Sequence, residues 1–109
     1  MNIQHKNLAS GRWRSFSLVE QLANVGSEIE RAIKWRKKNA DYSTQAFERA
    51  LELIDLTVSD KKNIRRLKEI LRMREMLVDD FAGSNEFNSS DKLWQNYFYS
   101  YNYASRLGN

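Results

Sequence analysis

The 109-residue sequence predicts an all-α protein, an antiparallel up-down-up-down four-helix bundle with a short N-terminal arm. Apolar residues recur at helical spacing in four successive segments. Proline is absent and glycine occurs only four times, which is too few turn-forming residues for a sandwich or a barrel. The connections between the segments are short, which favours antiparallel neighbours. We therefore expect an arm over residues 1–16 and a bundle over residues 17–109.

The N-terminal arm is polar and basic. Trp13 and Phe16 are the large apolar side chains near its end, and we expect them to anchor the arm onto the bundle. The single histidine of the sequence, His5, also lies in the arm. A lone histidine in a terminal segment is typical of a solvated residue, and it cannot form a His-based triad or a His-rich metal site within one subunit.

Helical spacing of apolar residues divides the rest of the chain into four helices. They are predicted over about residues 18–38, 42–58, 60–82 and 90–106. Ser17 and Glu20 form a capping-box pattern before the first helix, in which each side chain satisfies an otherwise unpaired backbone N–H. Ser59 and Asp60 are candidate N-caps of the third helix, and Gly83 ends it.

The fourth helix is the most aromatic stretch of the chain, with six aromatic residues between Trp94 and Tyr103. At about 100° per residue, Trp94 and Phe98 share a core-facing stripe. Tyr99 and Tyr103 lie four residues apart on the other side and are therefore neighbours. Three interpretations of this pair stay open: packing on the arm, a subunit interface, where tyrosine is enriched, and stacking of nucleic-acid bases.

Positive charge gathers at one end of the predicted bundle. An up-down-up-down order brings together the start of the first helix, the turn after the second and the end of the fourth. The basic residues of that end are Arg12, Arg14, Lys61, Lys62, Arg65, Arg66 and Arg106. Basic residues in the first turns of a helix oppose its dipole, so helix stability does not explain them. They indicate either a solvated basic face or a site for an anionic partner, nucleic acid or an acidic protein surface.

Arg74 interrupts the predicted apolar stripe of the third helix, where a charged side chain must be paired or must extend to solvent. Glu28 flanks the stripe of the first helix and Asp55 that of the second. We therefore expect a core ion pair from Arg74 to one of these carboxylates. Such a pair sets the register of a bundle, or it holds a ligand or takes part in catalysis.

Several large apolar side chains are predicted to point outward from the four helices. They are Trp35, Leu56, Met73, Met76, Tyr99 and Tyr103. A single exposed hydrophobic residue means little, whereas a group of them indicates a partner surface. Symmetric self-association is the commonest arrangement of soluble oligomers, so we expect a homodimer.

Acidic residues on the first two helices suggest a third class of function. Glu52 and Asp55 form an E-x-x-D pattern, and Glu28 and Glu30 lie on the first helix. This arrangement resembles that of all-α nucleoside-triphosphate pyrophosphohydrolases, which hold Mg²⁺ with carboxylates of adjacent helices. Their E-E-x-x-E pattern is missing here, and Glu28 and Glu30 point about 160° apart. We therefore predict neither a metal site nor another cofactor.

Three segments resemble a group of short, uncharacterised helical proteins of bacteria and archaea. They are FSLVEQLANVGSEIERAIKWR, AFERALELIDLT and LWQNYFYSYNYASR. The chain also resembles the prokaryotic HEPN group, whose ribonuclease members need an arginine followed after four to six residues by histidine. Arg72 and Arg74 are followed instead by Asp79 and Asp80. This resemblance implies a non-cleaving member, such as a partner of a nucleotidyltransferase.

The remaining composition favours a cytoplasmic protein. Cysteine is absent, which excludes disulfides, thiol catalysis and cysteine-ligated zinc. We expect no secretory signal and no membrane partner, because no apolar run reaches the ~20 residues of a membrane-spanning helix. The predicted function is a non-enzymatic, self-associating binding or adaptor module. The alternatives are a nucleic-acid-associated module that uses the basic end and a Mg²⁺-dependent nucleotide hydrolase.

Overall fold

A computed structural model of the chain describes residues 11–107. Within this range the protein forms four α-helices and two short 3₁₀ segments, and it contains no strand. The α-helices are α1 (Leu18–Trp35), α2 (Ala40–Ser59), α3 (Leu67–Ala82) and α4 (Asp91–Arg106), and the 3₁₀ segments span Trp13–Ser15 and Lys61–Arg66. The prediction of an all-α bundle is confirmed.

Local side-chain chemistry sets the starts of α1 and α2. The capping box before α1 is present, since Ser17 Oγ accepts from the N–H of Glu20 at 3.2 Å and Glu20 Oε1 accepts from the N–H of Ser17 at 2.9 Å. Asn39 caps α2 by accepting from the N–H of Tyr42 at 3.2 Å. This cap places the start of α2 two residues before the predicted position.

The third predicted helix is divided into two parts. Residues Lys61–Arg66 form a 3₁₀ segment, and α-helical geometry begins only at Leu67. The side chain of Asp60 accepts from the N–H of Lys62, and Asn63 Nδ2 donates to the backbone oxygen of Thr57. These bonds hold the chain in a tight turn after α2. The prediction of one α-helix from residue 60 is therefore wrong, and the basic residues there do not lie in the first turns of an α-helix.

Contacts between the helices show an antiparallel arrangement. Ser43 at the start of α2 donates its hydroxyl proton to the backbone oxygen of Ala32 near the end of α1, at 2.7 Å. The rings of Phe47 in α2 and Phe81 in α3 stack at 5.1 Å, and Trp94 Nε1 in α4 donates to Asp80 in α3 at 2.8 Å. The most extensive packing joins α1 to α2 and α1 to α4. Helix α1 is therefore the central element.

The core is apolar and draws on every helix. It includes Trp13, Leu22, Val25, Ile29, Phe47, Leu53, Ile54, Ile70, Met73, Leu77, Trp94 and Phe98. Helices α1 and α4 approach most closely at Gly26, where an added Cβ atom would lie 2.7 Å from the Cβ atom of Phe98. Only a residue without a side chain fits at this contact, so Gly26 sets the distance between the two helices.

The end of the predicted arm belongs to the bundle. Trp13 is only 1% exposed and lies in the core, and Phe16 packs against the core with its ring 5.6 Å from that of Trp13. Both residues therefore anchor the chain as expected. Residues 1–10 of the arm, with His5, lie outside the described residues.

Candidate functional site

The predicted basic residues surround one end of the bundle, which we name the basic end. It comprises Arg12, Arg14, Lys61, Lys62, Arg65, Arg66 and Arg106, all of which are exposed. Lys62 Nζ donates to the backbone oxygen of Arg14 at 3.0 Å, so the first 3₁₀ segment touches the second. Arg66 Nη2 lies 3.2 Å from the hydroxyl of Tyr101, which brings the C-terminal half of α4 to the same end.

A buried polar network holds the backbone of the basic end in place. Trp13 Nε1 donates to Thr57 Oγ1 at 3.2 Å, and Gln21 Nε2 donates to the backbone oxygen of Trp13 at 3.0 Å and to Asp60 Oδ2 at 2.9 Å. Asn63 Nδ2 donates to Gln21 Oε1 at 2.9 Å. The five side chains are buried and connect the arm, α1, the end of α2 and the second 3₁₀ segment. The cations at this end therefore project from a fixed scaffold.

Asp60 neutralises one of these cations. Its carboxylate accepts from Lys62 Nζ at 2.5 Å, from the N–H of Lys62 and from Gln21. Burial acts to raise the pKa of Asp60, but the hydrogen bonds from Lys62 and Gln21 outweigh burial and hold that pKa below its ordinary value. Lys62 is consequently part of the scaffold.

Glu69 neutralises a second cation. Arg66 Nε donates to Glu69 Oε2 at 2.7 Å, and this bond lowers the pKa of the Glu69 carboxyl. The hydroxyls of Tyr97 and Tyr101 in α4 also point at Glu69, at 3.5 and 3.3 Å. Burial raises the pKa of Tyr97, which therefore stays protonated as a donor. This cluster joins α3 to α4.

Five cations of the basic end have no ion-pair partner among residues 11–107. Within residues 11–107, Lys62 and Arg66 form ion pairs with Asp60 and Glu69. No ion pair in that range involves the others, which are Arg12, Arg14, Lys61, Arg65 and Arg106. This excess of exposed positive charge favours contact with an anion.

Two tyrosines border the basic end on the outer face of α4, and we name them the tyrosine pair. Tyr99 is 66% exposed and Tyr103 is 54% exposed. Their rings stack on each other, with centroids 6.2 Å apart and planes inclined by 25°. Tyr103 precedes Arg106 by three residues, which is about 4.5 Å of helical rise.

A groove runs between α1 and α4 beside the tyrosine pair. It has a volume of about 480 Å³. Its lining includes Gly26, Ile29, Trp94 and Phe98, with Tyr99 beside them. Sequence reasoning missed this groove, although the isolated Gly26 within an amphipathic helix was the signal for a close helix contact.

The six predicted interface residues do not form one surface. Met73 is only 3% exposed and belongs to the core, so its placement on the outside was wrong. Trp35, Leu56 and Met76 are half-buried, and the ring of Trp35 packs edge-on against Tyr42. The tyrosine pair is the most exposed part of this set.

The error at Met73 has a physical cause in the rotation of α3. The predicted core-facing stripe of α3 includes Ile70, Leu71 and Leu77 and passes through Arg74. The structure buries Ile70 and Leu77 as expected, but it also buries Met73 and leaves Leu71 exposed. Periodicity alone cannot choose between stripes that differ by one residue.

Arg74 consequently forms its ion pair at the surface. Its Nε atom lies 2.8 Å from Asp55 Oδ1, and the two side chains are 35% and 53% exposed. The expected partner Asp55 is therefore in contact, but the pair is not in the core. Glu28, the other candidate, is buried and pairs with Arg31 at 2.6 Å and with Arg49 at 2.5 Å.

Two of the acidic side chains considered as metal ligands face cations of the protein. Glu28 is held by two guanidinium groups, and Asp55 is held by Arg74. In the part of the chain that the structure describes, no three histidine, cysteine, aspartate or glutamate side chains are grouped so that they could hold a metal ion.

The opposite end of the bundle has its own charged cluster, where the sequence predicts mixed charges that nearly cancel but not the individual contacts. Arg36 follows α1, and its guanidinium lies 3.2 Å from Asp80 Oδ1, 2.8 Å from Asp91 Oδ1 and 3.8 Å from the ring centre of Phe81. The three partners are 44 to 55 residues away in the chain, so only the folded topology brings them together. This cation is neutralised, in contrast to Arg12, Arg14, Lys61, Arg65 and Arg106 of the basic end, which form no ion pair within residues 11–107.

No family model, no curated protein and no solved structure matches the chain. Among the helices of residues 11–107, none has the length and apolar character that crossing a bilayer requires.

Proposed function

We propose that the protein is a non-enzymatic helical binding module that binds nucleic acid through the basic end. One observation carries this proposal, the five exposed cations that have no carboxylate partner within the described part of the chain. Clustered like charges repel one another, and phosphates of a nucleic-acid backbone would relieve that repulsion while releasing bound counterions. The proposal places the protein in the cytoplasm and agrees with the resemblance to non-cleaving HEPN proteins.

The choice of nucleic acid over an acidic protein surface depends on the neighbouring residues. Exposed tyrosines next to cations provide both components of nucleic-acid binding, electrostatic attraction and base stacking. The basic end also rests on a hydrogen-bonded scaffold, so its cations keep fixed spacings when the partner arrives. A fixed arrangement lowers the entropic cost of association.

A second candidate function is that of a self-associating adaptor. The observation that favours it is the groove between α1 and α4, because Tyr99 lies beside the groove and could enter the groove of a second copy. Such an exchange would be symmetric, as in most dimers. Light scattering over a range of protein concentrations measures this directly.

The test reverses two free cations of the basic end. Lys61→Glu with Arg65→Glu should weaken the binding of a fluorescent oligonucleotide at low salt and should reduce its dependence on salt. Each lost phosphate contact lowers the slope of log affinity against log salt by about 0.7 for a single strand. Lys62 is left intact because it holds Asp60.

The matched control is Lys37→Glu with Lys38→Glu. These lysines are exposed in the turn after α1, at the opposite end of the bundle, and their reversal changes the net charge by the same amount. We expect the control to bind nearly as well as the wild type. Equal losses in the two double variants would show that only net charge matters, and no binding by the wild type would refute the proposed function.

A further inference from the structure

We propose that the nucleic acid bound at the basic end is single-stranded and that one of its bases stacks on the tyrosine pair. This inference rests on the proposed function, because the cations of the basic end would hold the backbone that carries the base. Stacking on the tyrosine pair is a contact separate from those to the backbone, and only an unpaired base can make it. The observations that carry it are the exposure of Tyr99 and Tyr103, their mutual geometry and their position next to Arg106.

The geometry of the tyrosine pair suits an aromatic ligand. The ring centroids are 6.2 Å apart and the ring planes are within 25° of parallel. Stacking on the outer face of Tyr103 would need no movement.

Phosphate contacts are within reach of the same site. Arg106 follows Tyr103 by about 4.5 Å along the helix axis. Helix α4 ends at the basic end, where Arg66 contacts Tyr101. A strand whose backbone lies across the basic end could therefore turn a base toward the tyrosine pair. In a duplex the bases are paired and stacked inside the helix, so their faces are not available.

The test compares a labelled oligouridylate with a duplex of equal length, by fluorescence anisotropy. Tyr103→Ala and Tyr99→Ala should each weaken the binding of the single strand by about fivefold or more, because stacking on an aromatic side chain contributes roughly 1–3 kcal/mol per base. Duplex binding should change less than twofold. Tyr103→Phe keeps the ring and should bind the single strand like the wild type.

Tyr42→Ala is the matched control, because Tyr42 is also exposed, at 51%, but lies at the other end of the bundle. It should leave binding of both polymers unchanged. Circular dichroism of each variant checks that the helices remain folded. The tyrosines at 99 and 103 are mostly outside the core, so their loss should not unfold the protein.

The outcomes separate this inference from the proposed function. If the wild type binds both polymers and neither tyrosine variant loses affinity for the single strand, the basic end functions as proposed and the stacking inference is refuted. If Tyr103→Ala weakens both polymers equally and light scattering shows that a wild-type dimer has become a monomer, the tyrosine pair is a subunit interface and the inference is also refuted. If the wild type binds neither polymer, both proposals fail together.

Discussion

Asp60 shows how one residue links the fold to the candidate site. It ends α2, accepts hydrogen bonds from Gln21 and Lys62, and starts the 3₁₀ segment that carries Lys61 and Arg65. Its role as a cap was predictable, because an aspartate after a helical stripe is a local pattern. Its contact with Gln21 was not, because the two residues are 39 positions apart in the chain.

The lowered pKa of Asp60 predicts a pH-dependent contribution to stability. Because the folded state binds the proton less tightly than the unfolded state, the ionised carboxylate stabilises the fold fully above its ordinary pKa of about 3.9. That contribution is lost as pH falls through the lower pKa of the folded state. The difference in free energy of unfolding between the wild type and Asp60→Asn should therefore be largest near neutral pH and should shrink below about pH 4.

Urea unfolding at a series of pH values measures this difference. Glu69 also has a lowered pKa, so both carboxyl groups contribute to the pH dependence of the wild-type stability. Subtracting the free energy of unfolding of Asp60→Asn from that of the wild type at each pH isolates the contribution of Asp60, since Glu69 is present in both proteins. A difference that stays constant from neutral pH to pH 3 would mean that the carboxylate charge contributes nothing.

At the scale of elements, the sequence predicted the four helices because each carries its own apolar stripe and start signal. The capping box of Ser17 and Glu20 is local and appears in the structure as expected. The division of the third helix depends on Asn63, whose side chain bonds to Gln21 of another helix. The rotation of α3 depends on which stripe fits α2. Both of these features are set by tertiary contacts, which periodicity does not record.

Two ion pairs that join neighbouring helices, Glu28–Arg49 and Asp55–Arg74, should differ in energy. Glu28 of α1 has a side chain that is only 7% exposed, and Arg49 of α2 is one of its two partners. Arg49→Leu would leave a buried carboxylate short of a donor and should cost about 1–3 kcal/mol. Arg74→Leu removes a solvent-exposed pair with Asp55 and should cost less than about 1 kcal/mol.

Chemical denaturation of both leucine variants gives the comparison directly. The same substitution is made in each helix, so the change in helix propensity is matched. Equal losses of stability would show that burial of Glu28 does not control the strength of its pairs. A larger loss at Arg74 would restore it to the register-setting role that the sequence predicted.

At the scale of the whole molecule, the bundle is closed at the basic end by a residue that precedes the first helix. Trp13 fills the space between α1 and the end of α2, and its indole N–H is satisfied by Thr57. The sequence predicts an arm over residues 1–16 because a helical stripe begins only after Ser17. The point at which an apolar stripe begins does not show whether a tryptophan before it packs into the core.

Trp13→Ala should therefore destabilise the whole bundle. Removing a buried tryptophan costs about 3–5 kcal/mol, which is a large share of the roughly 5–15 kcal/mol that stabilises a domain. Thr57 would lose the hydrogen bond from the indole N–H at the same time, so the cost should lie toward the upper value. Thermal unfolding followed by circular dichroism should show one transition at a clearly lower temperature.

Trp35→Ala is the control, since Trp35 is half-buried at the opposite end and should cost less. If Trp13→Ala melts like the wild type, the segment before α1 is a separate arm and does not fix the positions of Arg12 and Arg14. If it melts lower, the scaffold and the basic end are one cooperative unit. Loss of nucleic-acid binding on heating should then follow the same transition as loss of helix, because the cations keep their spacing only while Trp13 remains in the core.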